Sequence, residues 1–393
     1  MLIMLSKFFK LALRKTFRQK FIRNFKKFCQ EKQGHALLYY KTDYYSLGGI
    51  LEDRSHTNEW ESYEMAKVLN KLGFWVDVAG TTISKSDVEK LEDKYDLFIG
   101  IGAGDSGKYF KDIAQKLTRA VKVLYALGPE PDLSNKITKA RHDVFLKRHP
   151  GAEIVVRRLI TKVDIEESMK YTDAIFTCCN DWGIEGYKKF GKDIYRVWLS
   201  SYPALHSTES EINQKDQKKF LYFGGNGNIT KGLDLTIEAF AKTPELELYI
   251  GAPRTEKDFN AVMDPILAKS PNIHFVGFMD VKSAEFNSLA SECGYVILPS
   301  SSEGCATSVT TAMRKALIPI VTIESGVEIG DFGYMIESIE IDRLAEMMRK
   351  IANSTREEFL RRSRGAYAES FKYTQANFSA TFEKAVRDLM RNK

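Results

Sequence analysis

The stretch VILPSSSEGCATSVTTAMRKALIPIVT, residues 296–322, decides how the rest of the chain can fold. The apolar run at residues 295–298 predicts a buried parallel strand, and Pro299 ends its pairing because proline has no backbone N–H. A polar loop with one carboxylate, Glu303, precedes a predicted helix, and the apolar run at residues 317–321 predicts the next strand. The stretch therefore predicts a strand–loop–helix–strand unit with Glu303 at the strand edge where parallel α/β sheets bind ligands.

Strands and helices alternate along both halves of the chain, which predicts two doubly wound parallel sheets. A length of 393 residues is also too great for one core of ordinary size. The predicted strands are residues 36–40, 74–79, 96–101, 121–126, 174–179 and 194–199 in the first half, and 220–223, 246–250, 272–278, 295–298 and 317–321 in the second. We expect a basic arm at residues 1–33, a first Rossmann-like domain at 34–207 with a polar linker near its end (200–218), a second Rossmann-like domain at 208–370, and a last helix at 371–393 that crosses back to the first domain.

Charge and cysteine content narrow the class of protein. Residues 1–33 hold ten Lys and Arg and one acid, a net charge of +9, which leaves −3 (+6 less +9) for the rest of the chain. Because the rest of the chain has no excess of positive charge, we do not expect a nucleic-acid partner. The five cysteines show no metal-ligand spacing and the six histidines form no HxxxH or HExxH pattern, so we predict no metal site and a reducing cytoplasmic location.

The basic arm carries apolar residues at helical spacing, with Lys and Arg on the opposite side. This pattern predicts an amphipathic helical arm, in one or two pieces, that lies in an anionic membrane interface. It cannot span the membrane, because charges interrupt every apolar run. A helix packed on the protein itself and a transit peptide are the alternatives. The apolar positions are Leu5, Phe8, Phe9, Ala12 and Leu13, then Phe17, Phe21, Phe25 and Phe28.

A glycine-rich loop, GGNGNITKG at residues 224–232, follows the first predicted strand of the second half. Backbone N–H groups in such a loop, a helix start and the ammonium of Lys231 can together hold a diphosphate. This loop and the PSSSEG…TAMRKALIPIV stretch resemble the donor site of retaining GT-B glycosyltransferases of the family-4 type. Glu303 and the Lys231–Gly232 pair match the family pattern. Thr311 stands where the family has a second glutamate, and Gly225 stands where it has arginine.

The resemblance implies a GT-B fold and transfer of a hexose from a nucleotide-diphosphate sugar with retention of configuration. It implies catalytic roles for Glu303 and Lys231, no cofactor and no metal, and a weaker hold on the ribose at Thr311 than a glutamate would give. The implied donor-binding residues are Gly224, Gly225, Asn226, Lys231, Glu303, Gly304, Cys305, Thr307, Ser308 and Thr311. The implied acceptor-side residues are Gly48, Gly49 and His56.

The basic arm adds an expectation about the acceptor. An enzyme held peripherally on the cytoplasmic face of a membrane suits a saccharide or lipid-linked acceptor from cell-surface polysaccharide or lipopolysaccharide synthesis.

Two other functions remain open. The loop GAGDSGK, residues 102–108, satisfies the dinucleotide pattern GxGxxG and all of the P-loop pattern except its last residue, which is Tyr109. A nucleotide-binding oxidoreductase or NTPase is therefore one alternative, although the loop follows the third predicted strand of its domain and not the first. A noncatalytic relative is the second alternative, because Thr311 replaces the second glutamate.

Overall fold

The computed structural model describes residues 20–42, 44–45, 57–102, 105–161, 163–202 and 205–392. Within them the chain forms two α/β domains, each built on one largely parallel sheet, so the predicted fold class is confirmed. The strands of the first sheet are β1 (Phe21–Phe25), β2 (Gly34–Tyr40), β3 (Phe74–Gly80), β4 (Leu97–Ile101), β5 (Val121–Ala126), β6 (Ala174–Thr177) and β7 (Asp193–Arg196). Those of the second are β8 (Asp216–Phe223), β9 (Glu247–Gly251), β10 (Ile273–Phe275), β11 (Cys293–Leu298), β12 (Ile318–Val321) and β13 (Tyr334–Met335).

Helices connect these strands. Those of the first half are α1 (Thr57–Lys71), α2 (Lys85–Glu89), α3 (Phe110–Lys116), α4 (Pro131–Arg148), α5 (Ile165–Lys170) and α6 (Asp181–Lys188). Those that follow are α7 (Glu209–Gln214), α8 (Leu233–Ala241), α9 (Lys257–Leu267), α10 (Ala284–Glu292), α11 (Thr307–Met313), α12 (Ile341–Ala352), α13 (Arg356–Glu369) and α14 (Gln375–Arg391). The stretch predicted as a polar linker contains α7, which forms because Thr208 and Glu211 make a capping box at its start.

The order of the strands places the two loops identified in the sequence beside each other. The second sheet runs β10-β9-β8-β11-β12-β13, all parallel, so the direction of strand addition reverses between β8 and β11. Ligands of open α/β sheets bind at such a reversal, outside the carboxyl ends of the strands. The glycine-rich loop follows β8 and the Glu303 loop follows β11, so both lie there. In the first sheet, of order β1-β3-β2-β4-β5-β6-β7, the reversal lies between β2 and β4.

Two helices pack against the other domain. Phe145 of α4, in the first half of the chain, is fully buried in the core that surrounds the second sheet. The last helix, α14, buries Phe378 and Phe382 in the core of the first sheet, against α1 and β7. Ser379 of α14 also donates a hydrogen bond to Glu64 of α1 at 2.7 Å. Both helices therefore join the two domains through apolar packing.

The predicted helical arm is wrong for residues 20–33, and residues 1–19 lie outside the described part of the chain. Residues 21–25 form the edge strand β1, antiparallel to β3. An irregularity in the pairing between Ile22 and Phe25 turns Phe21 toward one core and Phe25 toward the other. The four-residue spacing of the phenylalanines therefore reflects a bulged strand that uses both faces of a sheet, and not one side of a helix.

A buried carboxylate anchors this strand. Asp77 of β3 accepts hydrogen bonds from the backbone N–H of Asn24 at 2.8 Å, from Arg23 at 3.0 Å and from the hydroxyl of Tyr95 at 2.7 Å. Burial acts to raise the pKa of Asp77, but these hydrogen bonds outweigh it and hold the pKa below its usual value. The strand is thus fixed by a charge-assisted network as well as by pairing.

Candidate active site

The glycine-rich loop and the Glu303 loop contact each other through their backbones. The N–H of Ser301 donates to the carbonyl of Thr230 at 2.8 Å. Gly232 has a φ of +71°, and a Cβ on it would lie only 2.4 Å from the carbonyl oxygen of Pro299. Glycine is required at this position both by its conformation and by the close approach of the two chains. The contact fixes Lys231 and Glu303 on opposite sides of one small space.

Lys231 and Glu303 form an ion pair there. The ammonium of Lys231 donates to Oε1 of Glu303, and the two side chains are only 11% and 13% exposed. Burial acts to raise the pKa of Glu303, but the charges of Lys231 and Arg158 outweigh it and hold the pKa below its usual value. Burial lowers the pKa of Lys231, and the nearby carboxylate opposes that effect only in part. The site therefore holds an ionised carboxylate beside a cation in a water-poor space.

The glycine-rich loop uses part of its backbone to hold its own shape. Gly227 and Asn228 donate their N–H groups to the buried carboxylate of Glu256, at 2.5 and 3.2 Å. Gly224 donates to the carbonyl of Gly251 at 3.1 Å. Within the described ranges, the N–H groups of Gly225 and Asn226 have no protein acceptor. These two donors remain for a ligand, whereas the N–H groups of Gly224, Gly227, Asn228, Lys231 and Gly232 already have protein acceptors.

The sequence analysis did not identify Glu256. It follows β9 in the same way that Glu303 follows β11, and β9 pairs with β8, the strand that precedes the glycine-rich loop. A carboxylate just past a neighbouring parallel strand is therefore the signal that could have found it.

The remaining donor-side residues lie along the Glu303 loop and α11. Gly304 contacts the backbone of Leu127 in the first domain. Cys305 is buried, and burial raises the pKa of its thiol to about 12. Thr307 and Ser308 are half-buried and form the first turn of α11, where backbone N–H groups have no partner within the helix.

Thr311 is buried in α11, and its hydroxyl already accepts a hydrogen bond from protein. The backbone N–H of Tyr202 points to its Oγ1 at 3.4 Å. Tyr202 lies in the segment between the two sheets, so this hydroxyl contacts the connection between the domains. It can still donate its proton to a ligand.

Arg158 is a site residue that the sequence analysis missed. Its Nη2 lies 3.4 Å from Oε2 of Glu303, although the two residues are 145 positions apart. Arg158 belongs to residues 152–161, which follow α4 in the first half of the chain and which we call the strap. The adjacent basic residues Arg157 and Arg158 interrupt the apolar sequence IVV–LI, and charges in an apolar segment of no helical period are the signal that could have found them.

Direct contacts between the domains close the space behind the site. Arg141 of α4 donates to the carbonyl of Pro299 at 2.8 Å, and the hydroxyls of Ser134 and Ser302 are 2.7 Å apart. On the other side, Asn180 donates to the carbonyl of Ile323 at 2.9 Å. The Glu303 loop is thus held between its own sheet and elements of the first domain.

The predicted acceptor-side residues Gly48, Gly49 and His56 lie outside the described residues. In the sequence they fall between the last residue of β2 and the first of α1. In the part of the chain that is described, no group of three or more His, Cys, Asp or Glu side chains is placed to hold a metal ion.

Two glycines of the GAGDSGK loop, Gly102 and Gly107, have a structural explanation, and residues 103–104 lie outside the described part of the chain. Gly107 lies against the backbone of Gly102, and α3, which follows, has only seven residues. Lys108 is exposed and its ammonium lies 4.7 Å from the ring centre of Tyr109. Close packing explains why glycine stands at positions 102 and 107. The ammonium of Lys108 already has a cation–π contact with Tyr109.

Comparison with known proteins agrees with this geometry. Residues 217–354 match the family model described as glycosyl transferases group 1, which covers the second sheet and both loops of the site. The match confirms the resemblance of the second domain to the group 1 glycosyl transferases. No curated protein sequence matches the chain significantly.

Solved structures of low sequence identity share the fold. HepE from Anabaena, solved with UDP and glucose, is 13% identical and has a TM-score of 0.59, with 91% of this chain and all of HepE covered. The pneumococcal O-GlcNAc transferase GtfA, solved with UDP and GlcNAc, is 15% identical, with a TM-score of 0.53 over 75% of this chain and 57% of GtfA. The trehalose 6-phosphate synthase of Burkholderia multivorans is 10% identical, with a TM-score of 0.53 over 89% of this chain and 80% of that enzyme. This chain thus spans little more than half of GtfA but the whole of HepE.

Proposed function

We propose that this GT-B chain, whose second domain matches the group 1 glycosyl transferases, moves a sugar from a nucleotide-diphosphate sugar to an acceptor with retention of configuration. The observation that carries the proposal is the contact between Lys231 and Glu303 at the strand reversal of the second sheet. A cation beside a loop with free N–H groups suits a diphosphate, and a carboxylate next to it suits sugar hydroxyls. The chemistry of the donor thus matches the chemistry of the site.

The leaving group of this reaction is a nucleoside diphosphate, which gains negative charge as the bond to the sugar breaks. Lys231 and the N–H groups of Gly225 and Asn226 stabilise that charge, and the low exposure of the site strengthens their effect. These groups supply what a divalent cation supplies in other transferases, so we expect activity without metal. The first turn of α11 adds further N–H donors at Thr307 and Ser308.

Glu303 orients the donor sugar by accepting hydrogen bonds from its hydroxyls. Its low pKa keeps it ionised at neutral pH, the form that only accepts. A double displacement needs two carboxylates about 5 Å apart, and Thr311 stands where the resembling family has the second glutamate. We therefore assign Glu303 to orientation and not to nucleophilic attack, and Thr311 to a single hydrogen bond with the nucleotide.

A panel of UDP-, GDP- and ADP-sugars tests the proposal. We expect one nucleotide-sugar to be turned over with release of its nucleoside diphosphate, equally in EDTA and in added Mg²⁺. The anomeric configuration of the product, measured by NMR, should equal that of the donor. Absence of both nucleotide release and thermal stabilisation with every donor would exclude the transferase function, and inversion would exclude the retaining mechanism alone.

The membrane partner is the second part of the proposal, and the described residues give it a surface. Lys26 and Lys32 lie with their ammonium groups 4.5 and 4.6 Å from the ring centre of Trp75, and Lys27 beside them is exposed. We call Lys26, Lys27, Lys32 and Trp75 the basic edge. Clustered lysines beside a tryptophan favour contact with anionic headgroups. No helix in the described part of the chain is long and apolar enough to cross a bilayer. An acceptor carried on a lipid would meet the enzyme on this surface.

Charge reversal of the basic edge tests the membrane contact better than deletion of residues 1–33, since β1 is part of the first sheet. Replacing Lys26, Lys27 and Lys32 together by Glu should lower binding to phosphatidylglycerol vesicles at least tenfold, at about 1 kcal/mol per basic residue. Cosedimentation measures the effect. The matched control replaces the exposed Lys218, Lys269 and Lys350 of the second domain by Glu and should bind like wild type. Equal binding of both variants would refute the basic edge.

A further inference from the structure

We propose that Arg158, supplied by the first half of the chain, is the second cation of the donor diphosphate site and acts with Lys231. The inference rests on the proposed function and adds a ligand-contacting residue to it. It also explains how the glycine-rich loop can work with Gly225 where the resembling family has arginine. The missing charge is provided from the strap and not from the loop.

The two oxygens of Glu303 face two different cations. Oε1 accepts from the ammonium of Lys231, and Oε2 lies 3.4 Å from Nη2 of Arg158. Lys231 enters from the second domain and Arg158 from the strap, so Glu303 lies between them. The ammonium and the guanidinium contact the two oxygens of one carboxylate and are thus close enough to bind one diphosphate together.

The strap is held so that Arg158 points into the site. Arg157 makes a two-point contact with Asp258 at 2.7 Å for each nitrogen, and the N–H of Val155 donates to the same carboxylate at 2.9 Å. At its other end, Asn135 and Ile160 exchange two hydrogen bonds of 2.8 Å each. These contacts tie the strap both to the second domain and to α4.

Arg158 itself adopts an unfavourable backbone conformation, with φ at +66°. Non-glycine residues rarely adopt this conformation, and such backbone strain concentrates at functional sites. Its side-chain stem lies on Gly227, where a Cβ would come within 2.3 Å of Cδ of Arg158. The contacts that hold the strap, the packing of the stem on Gly227 and the positive φ together place the guanidinium beside Glu303.

The balance of charges in the site favours the binding of an anion. Two cations face one carboxylate, and the neighbouring Glu256 is already bonded to the loop N–H groups and lies 3.7 Å from Arg157. When a diphosphate enters, Lys231 and Arg158 exchange the carboxylate for phosphate oxygens. Glu303 is then released to accept hydrogen bonds from the donor sugar. Glu303 therefore acts as the internal counter-ion of both cations until a diphosphate replaces it.

Gly225 offers a direct compensation test. A Cβ at this position would meet no atom within 4 Å, and the φ of Gly225 lies outside the left-handed region, so a side chain can be accommodated. A substitution Gly225→Arg therefore places a guanidinium on the loop without a clash. If Arg158 replaces that cation in the natural chain, the engineered arginine should replace Arg158.

The experiment measures binding of UDP, GDP and ADP by calorimetry, and then binding of the matching nucleoside without phosphates. Arg158→Ala should weaken the tightest nucleoside diphosphate about tenfold to a hundredfold, the range for one charge-assisted contact, and leave the nucleoside unchanged. Arg158→Ala combined with Gly225→Arg should recover most of the loss. The matched control Arg343→Ala, at a side chain 70% exposed on α12, should bind like wild type.

The possible outcomes test the role of Arg158 and the transferase function separately. If wild type and Arg158→Ala bind the diphosphate equally, the inference is wrong while the transferase proposal stands. If Arg158→Ala loses the diphosphate and the nucleoside equally, the arginine is structural and the inference is also wrong. If wild type binds none of the three diphosphates, both proposals fail together.

Discussion

Replacing Lys231 by methionine should lower kcat for sugar transfer by about a hundredfold to a thousandfold, the range observed when one preorganised group that stabilises developing charge is removed. The methionine keeps the length of the side chain and its apolar stem but removes the ammonium that contacts Glu303. The effect should appear in kcat more than in KM, because charge on the leaving diphosphate is greatest in the transition state. Initial rates of nucleoside diphosphate release with the donor found in the panel measure it.

Lys218→Met is the matched control, because Lys218 is exposed on β8 and far along the strand from the site. It should retain wild-type rates. The Lys231 variant should also shift the titration of Glu303, since burial raises the pKa of this carboxyl group and Lys231 is the leading charge that opposes burial. A carboxyl group with a higher pKa takes up its proton at a higher pH. As the pH is lowered, the residual activity of the variant should therefore begin to decrease at a higher pH than the activity of wild type. A loss of less than tenfold at every pH would show that Lys231 does not bear on the leaving group.

The second domain could be predicted well from the sequence because its strands are buried on both faces. Runs such as residues 295–298 and 317–321 are apolar without interruption, and each becomes a fully buried strand, β11 and β12. A loop that directly follows such a strand must lie at the carboxyl edge of the sheet. Lys231 and Glu303 each follow a strand in this way, so sequence alone placed them on the same edge.

Residues brought in by long-range packing could not be predicted in that way. Arg158 lies in the strap, which has neither helical nor strand period, and its position depends on the contact between α4 and the second domain. The edge strand β1 was predicted as a helix because Phe21 and Phe25 are four residues apart. A bulged strand can also show this four-residue spacing, and only the pairing with β3 distinguishes the strand from a helix.

Replacing Phe382 by alanine should lower the free energy of unfolding by about 3–5 kcal/mol, the usual cost of deleting a buried phenylalanine ring. Phe382 of α14 is fully buried, with its ring centre 6.0 Å from that of Phe176 in β6, in an edge-to-face arrangement. The deleted ring leaves a cavity between a helix and a sheet that are far apart in sequence, so neighbouring side chains can refill it only in part. Urea unfolding followed by circular dichroism measures the loss.

The exposed Phe278, 76% accessible in the second domain, provides the matched control, because its replacement by alanine removes little buried surface. That variant should change the free energy of unfolding by less than about 0.5 kcal/mol. The Phe382 variant should in addition separate the unfolding of the two domains, since α14 is a main connection by which the carboxyl end of the chain stabilises the first sheet. A first transition that moves to lower urea while the second stays in place is the expected result. If both domains still unfold in one transition at the wild-type midpoint, α14 contributes no stability to the first domain, and the buried ring contact would have to be energetically neutral.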